Sequence, residues 1–271
     1  MTWPVAANLS LLFAELPLID RINCAAHAGF DGVEIQFPYD VSAQSLAVAL
    51  ANAQMPLVLI NVPAGDLLAG GAGLAGVPGR EGDFADALQQ ALEYAQKVRP
   101  LKINVLPGKL VQGVEPQAAL DVLAANLFKA ASAFAELGVQ VTCEAINRRD
   151  MPGFLIASSR ELKDLLARVD HPNLSAQLDF YHMAQAGETL EGSVNELAGR
   201  IGHVQFADWP GRREPGSGGL NFSEGLEALR AQGYGGWLSA EYRPSGETSQ
   251  GLQWLDAWAT AGWIRPRGHN E

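Results

Sequence analysis

Short β-branched and apolar runs alternate along the chain with longer stretches whose apolar residues return every three or four positions, the periods of strand and helix. The runs Val5–Ser10, Gly32–Phe37, Leu57–Asn61 and Lys102–Leu106 predict the first four strands. A fifth strand ends in Val141-Thr142-Cys143-Glu144, and Leu174–Asp179, Ile201–Ala207 and Trp237–Tyr242 predict three more. Helices are predicted between them: Pro17 to Gly29, Ser42–Gln54, Glu81–Val98, Pro116 to Gly138, Ser158 to about Val169, Leu190–Gly199, Ser223–Gln232 and Ser249–Ala261. Pro17 and Pro116 suit a first helical turn, Gly29 and Gly138 suit a stop, and Ser158-x-x-Glu161 is a capping box. Residues 62–82 and 208–220 form long loops rich in glycine.

Strict alternation of strand and helix requires parallel pairing with right-handed crossovers, and eight such units close into a barrel. The expected fold class is therefore α/β, a single parallel eight-stranded (β/α)8 TIM barrel. It occupies residues 1–262, with 263–271 as a C-terminal tail that frays from Arg265 onward. A length of 271 residues and 48% hydrophobic content suit one such domain.

Four of the predicted strands carry a hard oxygen donor near the C-terminal end: Glu144, Asp179, Gln205 and Glu241. A polar residue stands two positions before each, namely Thr142, Gln177, His203 and Ser239, so both members share one strand face. The positions between and beside them, Val141, Cys143, Leu178, Val204, Leu238 and Ala240, should face the helices. An inward polar face on four strands makes sense only if something polar fills it, and a barrel assembles its site from strand ends. Three carboxylates and an amide form a set suited to Mg²⁺ or Mn²⁺ rather than zinc. Without a cation the carboxylates repel one another.

Composition narrows the partners. A formal charge of −11 argues against nucleic acid, whose phosphates need a basic surface, but not against a small anion. The N-terminal stretch is apolar up to Ile19, yet it has no basic leader and is interrupted by Asn8, Glu15, Pro17 and Asp20. Neither a signal peptide nor a membrane span is expected, which makes the cytoplasm the default location. Cys24 and Cys143 are the only cysteines, and Cys143 reads as a buried reduced thiol behind Glu144. Gly71-Ala-Gly73-Leu-Ala-Gly76 matches the dinucleotide fingerprint only literally, because Val77-Pro78-Gly79 intervenes before any helix. It reads as a loop over a site.

Glu144 and Glu241, on strands five and eight, should face each other across the barrel mouth. Such a pair can pass a proton between adjacent carbons of an α-hydroxycarbonyl compound through an enediolate. A glycosidase also uses paired carboxylates, but it has no need of Asp179 and Gln205 beside them. His182, three residues past Asp179, should overhang the mouth from a strand-end loop. Arg212 and Lys109, and less directly Arg80, are cations able to meet a substrate carboxylate.

The chain resembles the hydroxypyruvate isomerase family of xylose isomerase-like barrels from about Val5 to Trp258. The resemblance is carried by Ala7-Asn8-Leu9-Ser10, Phe37-Pro38-Tyr39, Pro63-Ala64-Gly65-Asp66, Val77-Pro78-Gly79-Arg80, Glu144-Ala145-Ile146-Asn147 and Pro152-Gly153-Phe154. Further along it is carried by Asp179-Phe180-Tyr181-His182, Gly202-His203-Val204-Gln205, Glu214-Pro215-Gly216 and Glu241-Tyr242. It implies that Glu144 and Glu241 transfer the proton, and that Glu144, Asp179, Gln205 and Glu241 hold a divalent metal. Gln205 stands where the epimerase relatives have a histidine, and Ala145 replaces a proline common after this glutamate. The implied reaction converts hydroxypyruvate to 2-hydroxy-3-oxopropanoate. A 2-oxo-tetronate isomerase is the alternative within the class, with a dehydratase of the same superfamily behind it. A sugar-acid-binding barrel without catalysis is the alternative from another class. The expected partner is a small hydroxy-keto acid, and self-association into a homo-oligomer is left open.

Overall fold

The computed structural model describes residues 2–266. Eight parallel strands close on themselves in sequence order, β1 pairing with both β2 and β8. They are β1 (Val5–Asn8), β2 (Gly32–Ile35), β3 (Leu57–Asn61), β4 (Lys102–Val105), β5 (Gln140–Glu144), β6 (Leu174–Asp179), β7 (Ile201–Phe206) and β8 (Leu238–Ala240). The helices outside them are α1 (Leu18–His27), α2 (Ala43–Asn52), α3 (Glu81–Val98), α4 (Pro116–Ala135), α5 (Ser159–Val169), α6 (Phe180–Ala186), α7 (Leu190–Glu196), α8 (Phe222–Ala231) and α9 (Gln253–Thr260). The predicted (β/α)8 barrel is the fold observed.

Outward strand residues and inward helix residues make the main core. Val141, Cys143, Leu178, Val204, Leu238 and Ala240 all belong to it, on the face expected from alternation. By length and composition α4 could cross a bilayer, but its Leu123, Leu127, Ala130 and Phe134 pack into this core. Cys143 is buried and free.

Register positions the polar interior. Glu144 pairs with Gln177 across β5 and β6, and Asp179 with Gln205 across β6 and β7. A register shift on β6 and β7 after Ala176 makes the second pairing, since Ala176 is level with Ile201 but Gln177 with His203. The extra residue is Gly202, where a Cβ would collide with the Ser175 hydroxyl. Such a bulge re-aims the side chains that follow it, here His203 and Gln205, into the barrel. A second shift on β2 and β3 falls between Val33 and Glu34.

Three elements depart from expectation. The region after Asp179, expected to be a loop, is α6, and Asp179 itself caps it by accepting the Tyr181 amide at 2.8 Å. The loop at 62–82 contains a 3₁₀ turn, Leu67–Ala69. Its glycine run is held by Asp66, which accepts from Gly73 N at 2.9 Å, rather than by a nucleotide geometry. The chain expected to be tail from residue 263 is joined to the barrel: Trp263 stacks on Trp3, Ile264 bridges to Trp3, and Arg265 N donates to Trp3 O. Residues 267–271 of that tail lie outside the described residues.

Candidate active site

At the C-terminal mouth of the barrel a cavity of about 500 Å³ is lined by Glu144, His182, Arg212, Glu241, Gln36 and Asn61, among others. Glu144 ends β5, Asp179 ends β6, and Glu241 lies one residue beyond β8, its amide still donating to Phe206 O at 3.1 Å. All three carboxylates are buried.

His182 comes from α6, with Nε2 3.6 Å from Asp179 Oδ2 and 3.9 Å from Glu144 Oε1. Its other nitrogen, Nδ1, lies 2.7 Å from Asn147 Nδ2. Asn147 Oδ1 already accepts the amides of Arg149 and Asp150, at 3.0 and 2.8 Å, so its NH₂ must be what faces the ring. Burial pushes the His182 pKa down to about 4 against the pull of Asp179, so the ring is neutral. A neutral ring that accepts at Nδ1 carries its proton on Nε2, aimed into the site.

Arg212 reaches in from the loop after β7. One of its terminal nitrogens is 3.4 Å from Asp179 Oδ2 and 3.3 Å from Glu241 Oε1, and its guanidinium lies over the Tyr181 ring. Its Nε is buried with no hydrogen-bond partner among the described residues. Gln36 Nε2 donates to Glu241 Oε1, while Glu241 Oε2 is buried without a partner among the described residues.

The two glutamates sit in unequal fields. Burial, then repulsion by Glu241 and Asp179, raises Glu144 well above the usual carboxylate range. Burial pushes Glu241 up to about 8; Arg212 opposes the shift, while Asp179 and Glu34 reinforce it. Arg212 is held charged, because Glu241, Asp179 and Glu144 outweigh the burial that would lower it.

Atoms of Glu144, Asp179 and His182 lie within 4.8 Å of one another, a buried group that could hold a metal ion. The Nε2 proton makes His182 the least suited member, whereas the oxygens match a hard cation. The unpartnered Glu241 Oε2 and the elevated carboxylates fit a centre designed to be neutralised by positive charge. Gln205, level with Asp179 in the register, is held on both sides, its Nε2 donating to Glu34 Oε1 and its Oε1 accepting from Gln177 Nε2.

Lys109 is not brought to the cavity. It bridges to Phe154 and donates from Nζ to Gly70 O at 3.3 Å. Arg80 is engaged with Asp66, Asp83 and Gly73 O. Residues not singled out in the sequence also contribute: Gln36 and Asn104 bind the two glutamates, and Asn147 binds His182. Asn147 was within reach, as the fourth residue of the Glu144-Ala145-Ile146-Asn147 segment. Asn104 repeats the inward polar alternation one strand earlier.

A parallel barrel with buried acids converging at its C-terminal mouth defines a TIM-barrel enzyme class. Residues 22–258 match the family described as xylose isomerase-like TIM barrel, and the chain belongs to that family. Within it, the chain is 38% identical over 253 residues to a hydroxypyruvate isomerase of Escherichia coli K12, covering 93% of this chain and 98% of that one. It is 36% identical over 253 residues to a 2-oxo-tetronate isomerase of Pectobacterium atrosepticum, covering 93% and 97%. A crystal structure titled AP endonuclease, family 2, from Brucella melitensis superposes with a TM-score of 0.90 at 37% identity, covering 95% of this chain and 99% of that one.

Proposed function

We propose that the chain is an isomerase of a small hydroxy-keto acid, interconverting hydroxypyruvate and 2-hydroxy-3-oxopropanoate. The observation that carries this reading is the pair of buried glutamates, Glu144 and Glu241, lining one cavity with a single guanidinium bridging Asp179 and Glu241. The names of the similar proteins support it. In this reading one glutamate removes a proton from C3 of hydroxypyruvate, and the electron pair moves to form an enediolate. The other glutamate delivers a proton to C2 while the hydroxyl proton of O3 passes to O2, which leaves an aldehyde at C3 and a hydroxyl at C2. Glu241, with the Arg212 and Gln36 donors on Oε1, is the easier of the two to ionise and is assigned the first step.

His182 Nε2–H donates to a substrate oxygen, and Arg212 Nε, rather than Lys109, meets the substrate carboxylate. A divalent cation, Mg²⁺ or Mn²⁺, held by Glu144, Asp179, Gln205 and Glu241, would supply positive charge for the oxygen on which negative charge develops. This chemistry suits a cytoplasmic enzyme.

The test is turnover of hydroxypyruvate with Mg²⁺ and with Mn²⁺ in deuterated water. Deuterium should enter the product carbon, and Glu144→Gln and Glu241→Gln should each lower kcat by about 10²–10⁴. The relative named 2-oxo-tetronate isomerase supports a four-carbon substrate as a second reading, and assaying both keto acids decides between them. Ligand-induced thermal stabilisation with no turnover of either would mark a binding barrel instead.

A further inference from the structure

The loop after β7 delivers Arg212 to the cavity, and a carboxylate with no part in the proposed chemistry holds that loop together. Asp208 is 1% exposed and stands two residues past the end of β7. Four backbone amides converge on it. Trp209 N at 2.8 Å and Leu220 N at 3.0 Å bind Oδ1, and Gly216 N at 2.8 Å and Gly218 N at 2.9 Å bind Oδ2. A carboxylate accepts at about four lone-pair positions, so every position has a donor. Between β7 and α8 the chain has neither helix nor strand to satisfy these amides, and one side chain does so instead.

This clamp encloses Arg212. Asp208 N donates to Arg213 O at 2.8 Å, closing residues 209–212 into a turn in which Arg212 has a φ of 55°. A side chain other than glycine in the left-handed region is strained, and it persists there only where its surroundings fix it. On the far side Arg212 O accepts from Arg243 N at 2.8 Å, and Arg213 Nη1 donates to Pro244 O at 2.8 Å. The loop is thereby tied to the segment just past Glu241. From this fixed backbone the guanidinium reaches Asp179 and Glu241 and lies over the Tyr181 ring.

We propose that Asp208 is a positioning residue that holds the loop after β7 in the conformation presenting Arg212 to the substrate carboxylate. Asp208 does not itself line the cavity, so it acts through Arg212. Because both of its oxygens are doubly engaged, asparagine at 208 has no orientation that satisfies the clamp. Whichever way the amide turns, its NH₂ group opposes two N–H donors. Gly218 offers a second way to loosen the same clamp with the carboxylate left in place. A Cβ there would collide with Trp209 O and Asp208 Oδ1.

The kinetic arm of the test rests on the isomerase reading; the spectroscopic arm does not. Asp208→Asn and Gly218→Ala should each lower kcat/KM on the active keto acid by about 10²-fold. The loss should divide between KM and kcat as it does in Arg212→Ala. Added to Arg212→Ala, Asp208→Asn should cost almost nothing more, whereas a defect unrelated to Arg212 would add in full. By NMR, the Gly216 and Gly218 amides of the parent chain should be protected from exchange. The Arg212 Nε–H signal, identified by its loss in Arg212→Ala, should move in both clamp variants while the strand amides stay protected. This arm decides the matter if neither keto acid is turned over, and Gly218→Ala carries it if Asp208→Asn does not fold. Parent-like kinetics in a folded variant, additive losses in the double variant, an unmoved Arg212 signal or rapid exchange of the two glycine amides in the parent would each overturn the proposal.

Discussion

Asn147 satisfies two backbone amides with its oxygen and one imidazole nitrogen with its NH₂, and that division of labour sets the His182 tautomer. Asn147→Asp should reverse it. An acceptor at Nδ1 would draw the proton there and leave the Nε2 lone pair facing Asp179 and Glu144. The expected outcome is a switch of protonated nitrogen, seen in the ¹⁵N shifts of His182, together with a loss of activity of about 10–100-fold. Retention of the Nε2–H signal would refute the tautomer argument. At this scale the sequence revealed the charged members of the site, because Glu144, Asp179 and Glu241 stand at repeated strand ends. It did not reveal Gln36, Asn104 or Glu34, since a polar residue on an apolar strand carries no sign of which strand it will meet across the barrel. Lys109 shows the converse: its position after β4 was right for the mouth, but its side chain turns to Gly70 O.

Among the elements, caps were the most readable feature. Ser158 accepts from Glu161 N at 3.1 Å, as the Ser-x-x-Glu spacing at the start of α5 anticipates, whereas Glu161 Oε2 accepts from Ala157 N at 2.7 Å, one residue before the N-cap amide that a capping box pairs. Ser158→Ala should therefore lower stability by about 1 kcal/mol in denaturant melts, with kcat preserved. An unchanged midpoint would mean that water replaces the cap. The seven-residue α6 escaped notice for a related reason. Its cap is Asp179, which reads as the end of a strand and as a site acid, and so disguises a helix start. The cap carries His182 into the cavity, since a helix beginning at Phe180 turns its third residue back over the strand end.

For the whole molecule, clustering acids in a dry mouth has a cost that pH should expose. The Glu241 pKa is raised in the fold to about 8 from an ordinary value near 4.5. Between those values the folded state binds more protons than the unfolded chain, so this group makes stability fall as pH rises through the interval. Glu241→Gln removes the titration and should melt higher than the parent at pH 8, with the gap closing toward pH 4.5. Saturating Mn²⁺ should narrow the gap at pH 8 by stabilising the parent more than the variant, which lacks one of the carboxylates. A gap independent of pH would show that Glu241 is not strained by its neighbours.

The chain's own pattern determined the eightfold alternation, the parallel closed barrel and the strand ends where acids gather, because periodicity and turn chemistry are local properties written in order along the polymer. Only tertiary structure decided which polar side chains meet inside. The shifts of register beside Glu34 and before His203 turn particular residues inward, and the direction of each hydrogen bond there follows from a partner as much as 171 positions away. Such pairings are properties of closure in space, and no stretch of sequence contains both halves.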